Sequence, residues 1–128
     1  LDADRYRPLE EISERLDTIL RGLQEQGLDE RPLIISEIGD GAIYGWRDAH
    51  AGHWSEQYQS DYLEAVCREF IERDEIVGLA LWQFCDIRTY GSGRALSRPR
   101  GFNNKGIVDE YRRPKQAYQT VQRVMRKT

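Results

Sequence analysis

Cysteine, histidine and long apolar runs are all scarce in this chain, and each scarcity removes a class of function. Two cysteines occur in 128 residues. Cys67 and Cys85 stand alone, without CxxC spacing and without a histidine beside them, so neither a zinc site nor a disulfide framework is expected. The two histidines, His50 and His53, have H-x-x-H spacing in a polar, loop-like segment. A metal centre needs three or four converging ligands, and no acidic or thiol partner is placed to complete one. They read as solvated or hydrogen-bonded loop side chains, and neither a metal nor an organic cofactor is expected. No apolar run is long enough to cross a membrane. The chain also does not open with the basic stretch and apolar core of a secretory leader. With 19 Lys and Arg against 22 Asp and Glu, the net charge of −3 gives no general attraction to nucleic acid.

What is present is an alternation of two hydrophobic periods. Residues 8–26 carry Leu9, Ile12, Leu16, Ile19, Leu20 and Leu23 at helical spacing. Pro8 suits a first turn, Glu10 and Glu11 suit the positive end of a helix dipole, and Gly27 is a natural stop. Residues 33–39 are short, apolar and partly β-branched, and Gly39 closes them. That pattern predicts a strand covered on both faces, as in a parallel sheet. A polar loop follows over residues 40–54. Ser55 is a good N-cap for a second helix, whose apolar stripe is Tyr58, Tyr62, Leu63, Val66 and Phe70. Residues 77–84 predict a second buried strand. Residues 85–113 have little periodicity, and a loop of that length in a compact domain is usually functional or disordered. Pro114 starts a last helix with Ala117, Tyr118, Val121, Val124 and Met125 on one face.

The order helix, strand, helix, strand, helix implies α/β architecture with parallel strands. Two such strands cannot stand alone, because both outer edges would remain unpaired and apolar. The first helix also has no strand before it. A fragment of a larger sheet or barrel is expected, with residues 1–128 as one incomplete domain. There is no internal linker or low-complexity tract.

Three features bear on chemistry. Glu37 is a carboxylate near the C-terminal end of an apolar strand, the end that carries active sites in parallel α/β folds. It is either functional or a strand-end glutamate paired with an arginine, since a buried charge needs a purpose or a partner. Trp82 lies towards the end of the second strand, where it either packs in the core or offers its indole face to a sugar ring. Residues 98–106, Arg-Pro-Arg-Gly-Phe-Asn-Asn-Lys-Gly, combine cations, amides and glycines. They form either a solvated basic loop or a recognition loop for an anionic or polyhydroxylated ligand. Arg88, Arg94, Arg98 and Arg100 offer a phosphate or nucleic-acid patch as a further reading. Aromatic interleaving there is sparse, with Tyr90 and Phe102 alone, so no nucleic-acid partner is expected.

In their order and spacing these residues resemble glycoside hydrolase family 2. Residues 32–39 resemble the seventh strand of its catalytic barrel, in which the glutamate before x-Gly is the nucleophile. Residues 54–59 resemble the start of the following helix in β-glucuronidases. Residues 81–86 resemble the eighth strand, whose tryptophan lines the sugar site. Residues 103–107 and 113–115 resemble the segment that leads into the last barrel helix. The resemblance covers residues 32–124, and the first helix fits the one before strand seven.

The resemblance implies a C-terminal fragment of a TIM (β/α)8 barrel, comprising helix 6, strand 7, helix 7, strand 8 and helix 8. It implies a retaining hydrolase of β-D-glucuronides, with Glu37 as nucleophile, Trp82 in the sugar-binding wall, and Asn103 and Lys105 on the C6 carboxylate of the uronic acid. One departure stands out. Retaining glycosidases use two carboxylates about 5–5.5 Å apart, and the family's acid/base glutamate follows an asparagine. No Asn-Glu pair occurs in this chain. The implied partners are therefore a carbohydrate and the remainder of the barrel, which carries the second glutamate. The fragment alone is expected to be inactive. Rival readings are a β-galacturonidase or β-galactosidase of the same family, or a non-catalytic carbohydrate-binding or assembly fragment. Open barrel edges also make a homo-oligomer possible.

Overall fold

The computed structural model describes residues 8–89, 93 and 97–126. Arg94 of the candidate phosphate patch and the nearby Tyr90 lie outside the described residues. The element order is α1 (Glu11–Glu25), β1 (Leu33–Ile38), α2 (Glu56–Ile71), β2 (Ile76–Leu81), β3 (Ile87–Arg88), a 3-10 turn at Pro99–Gly101, β4 (Phe102–Asn103) and α3 (Gln116–Met125). β1 and β2 pair in parallel, and β3 and β4 pair antiparallel. The expected alternation of helices and parallel strands is therefore present.

Local chemistry accounts for the helix ends. Ser55 has extended backbone angles, and its hydroxyl accepts the Tyr58 N–H at 3.1 Å, satisfying one of the amides that a helix start leaves unpaired. Gly27 has φ +68° at the end of α1. Its N–H donates to the Gln24 carbonyl and the Leu28 N–H donates to the Leu23 carbonyl. That pair of bonds closes the helix and needs the left-handed conformation that glycine adopts without penalty. Pro8 to Glu10 form a turn ahead of α1 rather than its first turn proper, so the helix begins later than its composition suggests.

The core lies between the helices and one face of the β1–β2 pair. Leu16, Tyr62, Leu63, Val66, Phe70 and Ala117 are buried together, with Ile35, Ile38, Leu79 and Leu81 packed against them. The predicted stripe of α2 is buried along its whole length. A hydroxyl pair, Ser60 and Thr120 at 2.8 Å, joins α2 to α3 inside this layer.

The strands depart from expectation in two ways. They are not covered on both faces: Ile34 is 64% exposed and Val77 62%. The helices described here cover one face, and nothing among the described residues reaches the other. The second strand also ends at Leu81 rather than running to residue 84, and the Trp82–Gln83 peptide that follows is cis. The long segment after it is not structureless. β3, the 3-10 turn and β4 occupy part of it, and Cys85 forms a bridge with Val108.

β1 carries a bulge. Ile35 pairs with Leu79 and Ile38 with Leu81, so Ser36 and Glu37 together oppose Ala80 alone. Strict alternation would put Glu37 on the side of Ile35 and Ile38 on the other. The extra residue reverses that: Ile38 packs against the core while Ser36 and Glu37 are both exposed.

Candidate active site

The C-terminal ends of β1 and β2 meet at a contact that only glycine permits. A Cβ on Gly39 would sit 1.8 Å from the Trp82 carbonyl oxygen. The Trp82 N–H donates to the Ile38 carbonyl at 2.7 Å. Glu37 and Trp82, at the two strand ends, are thus held on neighbouring backbone.

The chain after Trp82 then aligns with the segment that carries Asn103 and Lys105. The Gln83 N–H donates to the Lys105 carbonyl at 3.0 Å, and the Ile107 N–H donates to the Gln83 carbonyl at 3.1 Å. Asn103 pairs with Ile87 between β4 and β3. The Asn103 side-chain oxygen accepts the Lys105 N–H at 3.3 Å. Asn103 and Lys105 are only 7% and 6% exposed. This part of the loop is packed, not a solvated basic run.

Glu37, Trp82, Asn103 and Lys105 all line one cleft of about 570 Å³. Its floor is apolar, formed by Leu16, Tyr62, Val66 and Phe70, and Ile12 and Ile19 of α1 flank it. β1 pairs with β2 on one edge alone among the described residues. Trp82 is 39% exposed, which leaves part of its indole open. Arg98, a member of the basic loop and of the candidate phosphate patch, has a further place in the structure. It also lines the cleft, with a guanidinium N–H donated to the Thr89 hydroxyl at 3.2 Å.

A second cavity of about 600 Å³ lies at the opposite ends of the strands, beside Leu33 and Glu75, and is lined by charges of both signs. It holds none of the candidate site residues Glu37, Trp82, Asn103 and Lys105.

Among the described residues, the other arginines of the candidate phosphate patch are engaged rather than open to a phosphate. Arg88 and Arg100 lie over the Phe102 ring at 5.5 and 4.9 Å, and Arg100 also pairs with Glu110.

Three other carboxylates near the strand ends are committed to structure. Glu56 is buried; it accepts the Gly45 N–H at 2.6 Å and the Gln116 N–H at 2.7 Å, and it pairs with Arg47 at 3.2 Å. Asp40 is buried and accepts the Gly41 N–H and the Tyr58 hydroxyl. Asp86 forms a buried ion pair with Lys115 at 2.8 Å. Burial pushes the Asp86 carboxyl up to about 6 although Lys115 and the Gly106 N–H oppose the shift. Burial likewise pulls the Lys115 ammonium below its ordinary value, against the attraction of Asp86. Both shifts have one cause: desolvation outweighs the pair's mutual attraction. Neither residue stood out as part of a pair in the sequence, where they are 29 positions apart.

The sequence pattern of the family described as glycosyl hydrolases family 2, TIM barrel domain, matches residues 2–128. The chain belongs to this family. Among family 2 structures, a β-galacturonidase from Eisenbergiella tayi, solved with galacturonate, is 42% identical with a TM-score of 0.85, over 91% of this chain and 21% of that one. A Bifidobacterium dentium β-glucuronidase, solved with coumarin-3-O-glucuronide, is 29% identical with a TM-score of 0.75, over 91% of this chain and 18% of that one. The curated β-glucuronidase of Paenibacillus borealis is 31% identical over 87 residues, 68% of this chain. The chain spans 14% of that relative's length. It is a family 2 barrel segment similar to β-glucuronidases and to a β-galacturonidase.

Proposed function

We propose that the chain is the C-terminal part of a (β/α)8 barrel that hydrolyses terminal β-D-glucuronides by retaining double displacement. In this reading α1 is helix 6, β1 is strand 7, α2 is helix 7, β2 is strand 8 and α3 is helix 8. Residues 1–128 form one incomplete domain, and the rest of the barrel supplies the acid/base glutamate. The observation that carries the reading is the convergence of Glu37, Trp82, Asn103 and Lys105 on one cleft at the C-terminal strand ends, where barrel enzymes work.

The Glu37 carboxylate attacks the anomeric carbon while the second glutamate protonates the departing glycosidic oxygen. A glycosyl ester on Glu37 results. Water, deprotonated by that same second glutamate, then attacks the anomeric carbon and releases Glu37. The bulge in β1 suits this role, because it turns Glu37 out of the core layer. Trp82 offers an indole face to the sugar. Lys105 supplies a point charge and Asn103 an amide to the C6 carboxylate. A partly desolvated charged hydrogen bond of this kind contributes about 1.5–3 kcal/mol, roughly ten- to a hundredfold in discrimination.

The 42% identity to a β-galacturonidase favours a second reading, in which the uronic acid has the galacto configuration. The Asn103–Lys105 pair addresses C6 and leaves C4 open. Hydrolysis of nitrophenyl β-glucuronide, β-galacturonide and β-galactoside by the complete enzyme, beside its Glu37→Gln variant, tests both. A preference for either uronide that Glu37→Gln abolishes supports the site and selects the sugar. A preference for the neutral galactoside, or turnover that survives Glu37→Gln, refutes it.

A further inference from the structure

Several backbone groups of the 103–106 arch bond to other segments, and Lys115 joins the arch to two of those segments. Its ammonium donates to the Ala42 carbonyl at 2.6 Å, to the Asp86 carboxylate at 2.8 Å and to the Asn104 carbonyl at 2.9 Å. Those acceptors belong to the loop after β1, the turn after β2 and the arch itself. The Asn104 carbonyl also accepts the Ala42 N–H at 3.0 Å. The same Asp86 oxygen accepts the Gly106 N–H at 2.9 Å. The Gly106 carbonyl accepts from the Gln59 amide at 3.0 Å. At Gly106 a Cβ would meet the Val108 carbonyl oxygen at 2.3 Å, so the arch is seated without slack.

The Lys115 and Asp86 side chains are both 0% exposed, so neither can touch a substrate. Burying this pair is costly, yet a lysine carries three donors and meets three acceptors from three separate segments. Asn104, whose carbonyl it holds, lies between the two residues assigned to the uronate. We propose that Lys115, anchored by Asp86, is a positioning residue that sets Asn103 and Lys105 against the strand ends and thereby sets selection for a uronic acid. This inference rests on the reading of the site given under Proposed function.

The test uses the complete enzyme and three variants, Lys115→Met, Asp86→Asn and Lys105→Ala, with KM and kcat for a nitrophenyl β-uronide and for the matching neutral glycoside. Thermal midpoints are recorded in parallel. If Lys115 positions the arch, Lys115→Met raises the uronide KM at least tenfold and lowers uronide selectivity at least tenfold. Its neutral-glycoside kinetics then stay within about threefold of wild type. Equal losses on both substrates, or unchanged selectivity, overturn the proposal. If Lys115→Met does not fold, Asp86→Asn, which keeps the side-chain shape, is held to the same tenfold criterion. Lys105→Ala separates the two levels of argument. If it abolishes uronide selectivity while Lys115→Met and Asp86→Asn do not, the positioning role fails and the site reading stands. If Lys105→Ala leaves selectivity intact, the site reading fails, and the positioning role with it.

Discussion

Lys105 is a buried cation that lines the cleft, and Asn103 stands beside it with its side chain turned to the Lys105 backbone. Replacing Lys105 by alanine removes the charge partner of a uronate. The expected outcome is a loss of uronide selectivity of about ten- to a hundredfold, read as the ratio of kcat/KM for uronide and neutral glycoside. Gly39 offers a second check at this scale. A methyl group there collides with the Trp82 carbonyl. Gly39→Ala is therefore expected to cost about 1–3 kcal/mol by overpacking, read from the urea midpoint, and to displace Glu37 from Trp82. Asp86 supplies a pH dependence. Its folded carboxyl titrates at about 6, above its ordinary 3.8, because of burial. The folded state therefore holds this proton more tightly than the unfolded chain does. The stability contribution is fully present below about pH 4 and is lost as pH rises through about 6. A difference curve between wild type and Asp86→Asn should show that decline between pH 4 and 6. A flat difference would remove Asp86 as its source.

Among the elements, α2 and α3 depend on buried polar ends. Ser55 caps α2 through its hydroxyl, while Lys115 at the N-cap of α3 makes no side-chain cap bond. Glu56 takes over that task from a distance by accepting the Gln116 N–H at the start of α3. It also brings negative charge to the positive end of the α3 dipole. Ser55→Ala is expected to cost about 1 kcal/mol. Glu56→Ala removes the acceptor of two partly buried N–H groups and is expected to cost more, about 1–3 kcal/mol. Denaturant titration of each variant ranks them, and an equal or reversed order would deny Glu56 its capping role. β1 shows a different kind of element-level control. Its bulge decides which face Glu37 occupies, a choice no alternation rule predicts.

For the molecule as a whole, the important surface is the uncovered face of the β1–β2 pair. Ile34 and Val77 stand open on adjacent strands, and among the described residues each strand keeps one unpaired edge. In a closed barrel both edges pair and that face turns inward. Without the remaining strands, such edges favour pairing between copies. The 128-residue chain alone is expected to self-associate, and Ile34→Glu combined with Val77→Lys should shift it towards monomer in light scattering. A monodisperse wild-type monomer would contradict this. The isolated chain should also show no uronide turnover, because the second carboxylate lies elsewhere in this reading.

Local periodicity and caps were enough to place the three helices and the two parallel strands, but not β3, β4 or the 3-10 turn. The i, i+3, i+4 stripe of α2, its Ser55 cap, the glycine that ends α1 and the apolar runs of the strands are each set by neighbours in sequence. The strand-end positions of Glu37 and Trp82 and the cation- and amide-bearing run 98–106 are likewise legible along the chain, while the choice of Asn103 and Lys105 within that run rests on the resemblance to family 2. Only the tertiary structure decided what depends on distant partners. It set the bulge that turns Glu37 outward, the close Gly39–Trp82 approach, and the exposed second face of the strands. It also paired Asp86 with Lys115. That ion pair is invisible along the chain because folding alone brings its partners and the three acceptors together and removes them from water.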